Sequence, residues 1–234
     1  MNTPYTENFY EVLKQGSRRS AREIVPLVLE FIQPKSVVDV GCGLGSWLSV
    51  FKELGIGECL GIDGDYVNTD RLEIPREEFQ PFALDTSLKL DRTFDLVVSL
   101  EVAEHLPPES ARTFIASLTD LGPVVLFSAA IPLQGGTNHV NEQWPSYWAH
   151  LFQERGYLAI DCLRKKIWNN ENVEPWYAQN ILVFVKRNCL EHYPLLARES
   201  KQTNMSELAM VHPKISQNRM RNRMDAQPLT ARSL

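Results

Sequence analysis

A glycine-rich stretch at positions 41–45 is the part of the sequence best suited to hold a ligand. It has the spacing G-x-G-x-G, follows strand-forming residues at 37–40 and precedes an apolar segment that suits a helix. In α/β proteins such a turn binds nucleotide-like ligands, because glycine lets the backbone approach closely and the helix start offers free N–H groups. Asp39 would repel a pyrophosphate but can accept hydrogen bonds from an ammonium group. A ligand with a cationic group is therefore favoured.

The next acid with a clear chemical use is Asp63. It ends an apolar run at 59–62, which we predict to be the second strand, and Gly64 follows it. An acid about twenty residues after the glycine turn accepts hydrogen bonds from the two hydroxyls of a ribose, and Gly64 leaves room for the sugar. A turn-forming Asp before Gly is the alternative. Ser46 stands where a dinucleotide-binding G-x-G-x-x-G would need its last glycine, which disfavours an NAD-dependent oxidoreductase.

These features resemble the class I S-adenosylmethionine (SAM)-dependent methyltransferases. Residues 37–48 are similar to the first motif of that family, and the run F-D-L-V-V-S-L-E-V-A-E-H-L-P at 94–107 is similar to its fourth-strand segment. The resemblance extends over residues 35–186. It implies a Rossmann-like fold, SAM as the cofactor and S-adenosylhomocysteine (SAH) as the product formed from it.

The resemblance also assigns residues to the cofactor site. A predicted third strand at 82–85 would end in Asp85, which can accept from the adenine amino group, with Leu84 alongside it. Glu101 and Val102, just past the fourth strand, would pack on the adenine or face the transferred methyl group. The predicted cofactor-binding residues are Asp39, Gly41, Cys42, Gly43, Asp63, Gly64, Leu84, Asp85, Glu101 and Val102.

Three polar residues are candidates for catalysis on the methyl acceptor. His105 follows the fourth-strand segment, and His139 and Glu142 lie in a loop at 129–148 that is rich in polar and aromatic residues. If the acceptor is a hydroxyl group, one of the three can serve as a general base. The alternatives are local hydrogen bonds for His105 and a loop-fixing role for His139 and Glu142. No group has the sequence spacing of a metal site, so we predict no metal, although Glu104, His105 and His139 could meet in space.

The apolar patterns, together with the resemblance, predict an α/β fold of three layers. Its centre is a Rossmann-like sheet of seven strands, mostly parallel, with an antiparallel C-terminal hairpin. Near-continuous apolar runs such as 94–99 indicate strands buried on both faces, and the hairpin is predicted from 159–164 and 181–185. At the N-terminus, two helices are predicted with a break at Gly16 and Ser17.

Three parts of the chain are predicted. They are an N-terminal helical cap at 1–34, a SAM-binding methyltransferase core at 35–188, and a C-terminal extension with a basic tail at 189–234. From residue 199 onward we predict a flexible or weakly helical tail. Residues 201–234 hold six basic and two acidic residues, whereas the whole chain has a formal net charge of −5, so no nucleic-acid partner is expected.

The remaining predictions concern location and activity. The four cysteines show no C-x-x-C spacing, the N-terminus lacks a signal-peptide pattern, and no apolar run approaches ~18 residues. A soluble, reduced, cytoplasmic protein with no membrane partner is predicted. Its predicted activity is methyl transfer to a small-molecule acceptor, at a hydroxyl oxygen. A peptide or protein acceptor and a non-catalytic SAM-binding module are the alternatives, and the oligomeric state is left open.

Overall fold

One mixed sheet forms the centre of the molecule. The computed structural model describes residues 7–217, with side chains described from residue 15 onward. The strands in this part of the chain are β1 (Ser36–Val40), β2 (Glu58–Asp63), β3 (Phe79–Pro81), β4 (Leu96–Leu100), β5 (Val124–Ser128), β6 (Tyr157–Ile160) and β7 (Leu182–Lys186). These seven strands lie in the order β3-β2-β1-β4-β5-β7-β6, and β7 runs antiparallel to both of its neighbours.

Helices cover both faces of this sheet. They are α1 (Glu7–Phe31), α2 (Ser46–Glu53), α3 (Ala111–Leu121), α4 (Pro145–Glu154), α5 (Arg164–Ile167), α6 (Pro175–Asn180) and α7 (Pro194–Ser200). One buried apolar cluster joins α1, α2 and α6 to the sheet, and a second joins α3 and α4 to it. The predicted three-layer α/β fold is therefore confirmed. Within residues 7–217, no helix combines the length and the apolar character needed to cross a bilayer.

Alternate residues along the central strands supply the two clusters. In β1, Val37 belongs to the first cluster and Val38 to the second. β1, β4 and β5 are buried along their whole length, which requires apolar side chains on both faces and explains their near-continuous apolar runs. Because β1, β2 and β4 are parallel, the residues that follow them meet at one edge of the sheet.

Helix α1 is continuous, so the predicted break at Gly16 and Ser17 is wrong. A Cβ built on Gly16 would lie 2.8 Å from Glu174 Oε1, just before α6. The hydroxyl of Ser20 donates to the Gly16 carbonyl (2.8 Å) and accepts from the Glu174 N–H (3.0 Å). Close packing therefore accounts for the glycine, and it outweighs the helix-propensity cost of about 1 kcal/mol.

Two edge strands differ from the predicted ones. β3 ends at Pro81, so the predicted strand at 82–85 is wrong and these residues form the loop that follows. β6 ends at Ile160 rather than at 164, because Asp161 and Arg164 pair at the start of α5 through two hydrogen bonds of 3.0 and 2.7 Å. Short edge strands are common, since a long exposed edge invites pairing with other chains.

Residues 199–217 pack on the domain. Of the flexible or weakly helical tail predicted from 199, the flexible alternative is wrong over this range, whereas short helical turns such as Met205–Glu207 agree with the weakly helical one. Leu208 is buried in the second apolar cluster. The fully buried Arg164 donates to the backbone carbonyls of Leu208 (2.8 Å) and Gln179 (3.1 Å). The basic tail at 218–234 lies outside the described residues, and the predicted domain boundaries stay predictions.

Arg164→Met should strongly destabilise the protein. The change leaves Asp161 without its partner and two backbone carbonyls without a donor, and breaking a buried ion pair costs about 3–5 kcal/mol. We expect a loss of that order in the free energy of unfolding, measured by urea denaturation. Arg92→Met is the matched control, because its ion pair with Glu58 is exposed and is worth about 0–1 kcal/mol. Equal losses in the two variants would contradict the anchoring role of Arg164.

Candidate active site

A cleft of about 1390 Å³ opens where β1, β2 and β4 end. Open α/β sheets bind their ligands at this edge, at the point where the strand order reverses, and here that point lies between β1 and β4. Every predicted site residue except Glu142 lines the cleft. These residues are Asp39, Gly41, Cys42, Gly43, Asp63, Gly64, Leu84, Asp85, Glu101, Val102, His105 and His139.

The glycine turn presents backbone rather than side chains to the cleft. Gly41 and Gly43 have positive φ angles of 89° and 55°, which other residues seldom adopt. A Cβ on Gly41 would lie 2.2 Å from Val102 Cγ2, so glycine is what lets the turn pass this close to the segment after β4. A Cβ on Gly43 would have no atom within 4 Å. The turn thus leaves an open space beside a bare backbone, as a bound cofactor needs.

The Asp63 carboxylate is held by three donors. Oδ2 accepts from the Gly43 N–H (2.7 Å), and Oδ1 accepts from the Gly64 N–H (2.7 Å) and the Tyr66 hydroxyl (2.5 Å). The Tyr66 ring fills the space beside Gly64, because a Cβ on Gly64 would lie 2.1 Å from a ring carbon. A ribose hydroxyl that uses Oδ1 must therefore displace the Tyr66 hydroxyl.

Asp39 is the most deeply buried acid at the glycine end of the cleft, with 2% of its surface exposed. Burial, and then the charge of Asp63, raises the pKa of Asp39 well above its ordinary value of 3.8. Burial and the same two carboxylates also raise the pKa of the Cys42 thiol. A cationic group bound here would offset the unfavourable charge on Asp39.

The residues predicted for the adenine end of a cofactor differ in exposure. Leu84 and Val102 are buried, whereas Asp85 is exposed. Leu84 and Asp85 reach the cleft from the loop after β3, and Val102 reaches it from the segment after β4. Together they offer two apolar side chains and one acceptor, which suits a planar base with an amino group.

Glu101 is held by amides from two other segments. Asn180 donates to both carboxylate oxygens (3.1 and 3.3 Å), and Gln134 donates to Oε2 (3.1 Å). Gln179 and Asn180 both donate to Gln134 Oε1 (2.8 and 3.0 Å). Burial raises the pKa of Glu101, and these hydrogen bonds counteract the increase. Sequence reasoning missed the three amides, because partners so far apart in the chain leave no spacing signal.

The two predicted histidines meet at the rim of the cleft. The rings of His105 and His139 contact edge to face, with centroids 4.9 Å apart. His139 Nδ1 lies 2.9 Å from Glu142 Oε1, and Glu142 also accepts from the N–H groups of Leu133 and Gly135 (both 2.7 Å). Glu142 thus fixes the loop and orients His139 without lining the cleft itself. Desolvation, and then the neighbouring His139, lowers the pKa of His105.

Glu104 is not among the predicted catalytic or cofactor-binding residues, although the sequence indicates that it could meet His105 and His139 in space. Its side chain lines the cleft and is 0% exposed, and neither carboxylate oxygen has a hydrogen-bond partner among the described residues. Burial, and then the charge of Glu101, raises the pKa of Glu104 well above its ordinary range. Its backbone carbonyl accepts from the N–H groups of Val140 (2.8 Å) and Asn141 (3.0 Å), which brings the loop carrying His139 against it.

A family model described as a methyltransferase domain matches residues 12–200. This chain belongs to that methyltransferase family. The resemblance to the class I SAM-dependent methyltransferases, first seen in the motifs at 37–48 and 94–107, is thereby confirmed.

Individual relatives agree with this assignment over parts of the methyltransferase domain. Norajmaline N-methyltransferase from Rauvolfia serpentina is 28% identical in an alignment of 150 residues that covers 53% of this chain and 50% of the relative. Probable tocopherol O-methyltransferase from Oryza sativa subsp. japonica is 34% identical in an alignment of 94 residues that covers 37% of this chain and 25% of the relative. The chain therefore spans half or less of the length of the curated relatives that it matches.

A solved structure shares the fold of the domain. It is SAM-bound CalS10, an amino pentose methyltransferase from Micromonospora echinaspora, with a TM-score of 0.55 and 14% sequence identity. The similarity covers 80% of this chain and 99% of that chain.

Binding of SAH to this methyltransferase domain should weaken as the pH falls. Because its pKa is raised, Asp39 takes up a proton at a higher pH than an ordinary carboxyl group does, and the neutral carboxyl no longer attracts an ammonium group. The bound cation lowers that pKa, so binding releases a proton, and affinity should change by on the order of tenfold per pH unit below the raised pKa. Calorimetric titration at several pH values measures the effect. Asp39→Asn should bind SAH more weakly at pH 7 and lose most of this dependence, and an unchanged pH profile in that variant would assign the proton elsewhere.

Tyr66→Phe should strengthen SAH binding. The variant removes the hydroxyl that competes for Asp63 Oδ1 and keeps the ring beside Gly64. Tyr66 is 74% exposed, so its hydrogen bond is worth about 1 kcal/mol and its loss should raise affinity about fivefold. Calorimetry with SAH measures the change, and Tyr193→Phe is the control because this tyrosine does not line the cleft. A weaker affinity would mean that Tyr66 assists the ligand instead of competing with it.

Proposed function

We propose that this methyltransferase domain binds SAM and transfers its methyl group to a hydroxyl oxygen of a small-molecule acceptor, which leaves SAH. Membership of the methyltransferase family supports the reaction class. The fold shared with a SAM-bound enzyme supports the cofactor. A cytoplasmic location belongs to the same proposal, and it is supported by four cysteines that are all free thiols.

The cofactor side of the cleft fits SAM residue by residue. Asp39 would accept from the ammonium group, Asp63 from the ribose hydroxyls and Asp85 from the adenine amino group. Leu84 and Val102 supply apolar surface for the base, and the open space at Gly43 admits the ligand next to the backbone. When bound, SAM supplies a reactive methyl group, so the protein mainly needs to align the acceptor and exclude water.

The orientation of the His139 ring is the observation that supports a hydroxyl group as the acceptor. The contact between Nδ1 and Glu142 leaves the Nε2 lone pair to take a proton, and Glu142 is fixed by two backbone donors. A hydroxyl must lose its proton to become a good nucleophile, whereas a neutral amine attacks with its free lone pair. A histidine held in place to take a proton therefore favours oxygen over nitrogen as the atom that is methylated.

The size and the charge of the cleft favour a small, uncharged or cationic acceptor. Ligand pockets commonly enclose about 300–1,000 Å³, so a cleft of about 1390 Å³ has room for a cofactor and a second small molecule. Asp39, Asp63, Glu101 and Glu104 line it, which disfavours an anionic acceptor. The oriented histidine supports an enzyme over a non-catalytic SAM-binding module, because binding of SAM alone does not require a base.

A screen of acceptors tests the proposal. The full chain, incubated with SAM and small molecules that carry hydroxyl or amine groups, should form SAH and a methylated product with a hydroxyl acceptor, as measured by mass spectrometry. His139→Ala should lower kcat by about 10²–10⁴-fold, the usual contribution of a general base, and leave the Kd for SAH unchanged.

Two further results complete this test. His150→Ala is the matched control, because that imidazole is exposed on α4 and does not line the cleft. Its kcat should equal that of the wild type. Methylation of amines alone, or full activity in His139→Ala, would contradict the proposal.

A further inference from the structure

Three metal-ligand side chains converge at the rim of the cleft. Glu104, His105 and His139 each offer one donor atom, and the three atoms all lie within 4.8 Å of one another. The group joins the short helical turn Ala103–His105 to the loop that carries His139, and all three residues line the cleft. A metal ion held by these side chains would therefore be accessible to an acceptor molecule in the cleft.

We propose that Glu104, His105 and His139 bind one divalent transition-metal ion. This departs from the prediction of no metal, which rested on sequence spacing alone. Spacing is a poor guide here, because the third ligand comes from a different loop.

The unpaired carboxylate of Glu104 is the strongest single support. A buried carboxylate without hydrogen bonds is unfavourable unless a cation or a proton compensates it. Both Glu104 oxygens lack a partner among the described residues, and the nearby Glu101 carboxylate adds a second negative charge. A bound cation would compensate this charge directly.

Both histidines already have the outer partners that metal ligands have. A ligating imidazole almost always donates its other N–H to a carboxylate or a backbone carbonyl, which fixes the ring. His139 makes this contact with Glu142 (2.9 Å), and His105 makes it with the backbone of Asn138. Each ring therefore keeps one nitrogen for a ligand. Two backbone hydrogen bonds to the Glu104 carbonyl bring the loop into place before any ion binds.

The donor set indicates the class of ion. Two imidazoles and one carboxylate suit Mn²⁺, Fe²⁺, Co²⁺ and Zn²⁺ better than Mg²⁺ or Ca²⁺, which prefer all-oxygen sites. Three protein ligands leave coordination positions open, as in catalytic sites rather than structural ones. His105 is exposed, so the open positions are accessible from the cleft.

The role of the ion in methyl transfer rests on the proposed function, whereas the binding of the ion does not. A hydroxyl coordinated to the ion has a lowered pKa and gives its proton to the solvent. Its oxygen–carbon bond then forms as the sulfur–carbon bond of the donor breaks, which leaves SAH. His139 acts as a base in the metal-free protein and as a ligand when the ion is bound. A hydroxyl acceptor stays favoured in both states, because the base or the ion promotes loss of the hydroxyl proton.

Direct metal titration tests the inference. The full chain, stripped with a chelator, is titrated with Mn²⁺, followed by electron paramagnetic resonance, and with Co²⁺, followed by visible absorption. We expect one ion per chain. Glu104→Gln and His139→Ala should each weaken binding at least tenfold, since even outer-shell changes cost about 10–100-fold. His150→Ala removes an exposed imidazole beside Glu154 and should leave binding unchanged.

A thermal shift assay separates loss of the site from loss of the fold. Without metal, Glu104→Gln should have a Tm equal to or above that of the wild type, because it removes an unpaired buried carboxylate. Added Mn²⁺ should raise the Tm of the wild type but not that of Glu104→Gln. Binding of neither ion, or equal binding in Glu104→Gln, would overturn the inference. SAH titration of the metal-free protein is run in parallel, so a failure of cofactor binding is distinguished from a failure of metal binding.

Discussion

The carboxylate of Asp63 joins the two loops on which the cleft depends. Its two oxygens accept from the N–H groups of Gly43 and Gly64, both at 2.7 Å. Hydrogen bonds to an ionised acceptor are about twice as strong as neutral ones, so they fix the glycine turn after β1 against the end of β2. The backbone at Gly43 is thereby held beside the open space of the cleft. The Tyr66 hydroxyl is a third donor from the exposed side, so a ligand can replace it without loosening either loop.

This arrangement gathers negative charge in one place. Asp39, Asp63, Glu101 and Glu104 all line the same cleft, and the pKa values of Asp39 and Glu104 are raised well above their ordinary ranges by burial and by a neighbouring carboxylate. Like charges in a buried site oppose folding, so stability does not explain them. Perturbed acids in a cleft are typical of functional sites. The two ends of this cleft suit different cations, an ammonium group at Asp39 and a metal ion at Glu104.

The cofactor side could be predicted from sequence because its signals are local. Asp39 and the turn at 41–45 follow one strand directly, and Asp63 ends the next one. The acceptor side depends on contacts between distant segments: Asn180 reaches Glu101 across 79 positions, and the unpaired state of Glu104 becomes visible once the neighbouring loop is folded over it. The same reason explains the errors in the fold. Gly16 has the pattern of a helix break, and a packing contact with a residue near α6 decides otherwise.

The C-terminal segment at 199–217 belongs to the folded unit that shapes the cleft. The His212 N–H donates to Gln179 Oε1 (2.8 Å), Gln179 donates to Gln134, and Gln134 donates to Glu101. In this series of hydrogen bonds, each amide side chain uses its oxygen and its nitrogen on different partners. One orientation of each amide therefore satisfies the whole series. A change in the packing of this segment therefore reaches a cleft carboxylate through two side chains. The sequence pattern separates a core from a C-terminal extension, whereas the hydrogen bonds from His212 to Glu101 connect these two parts of the chain.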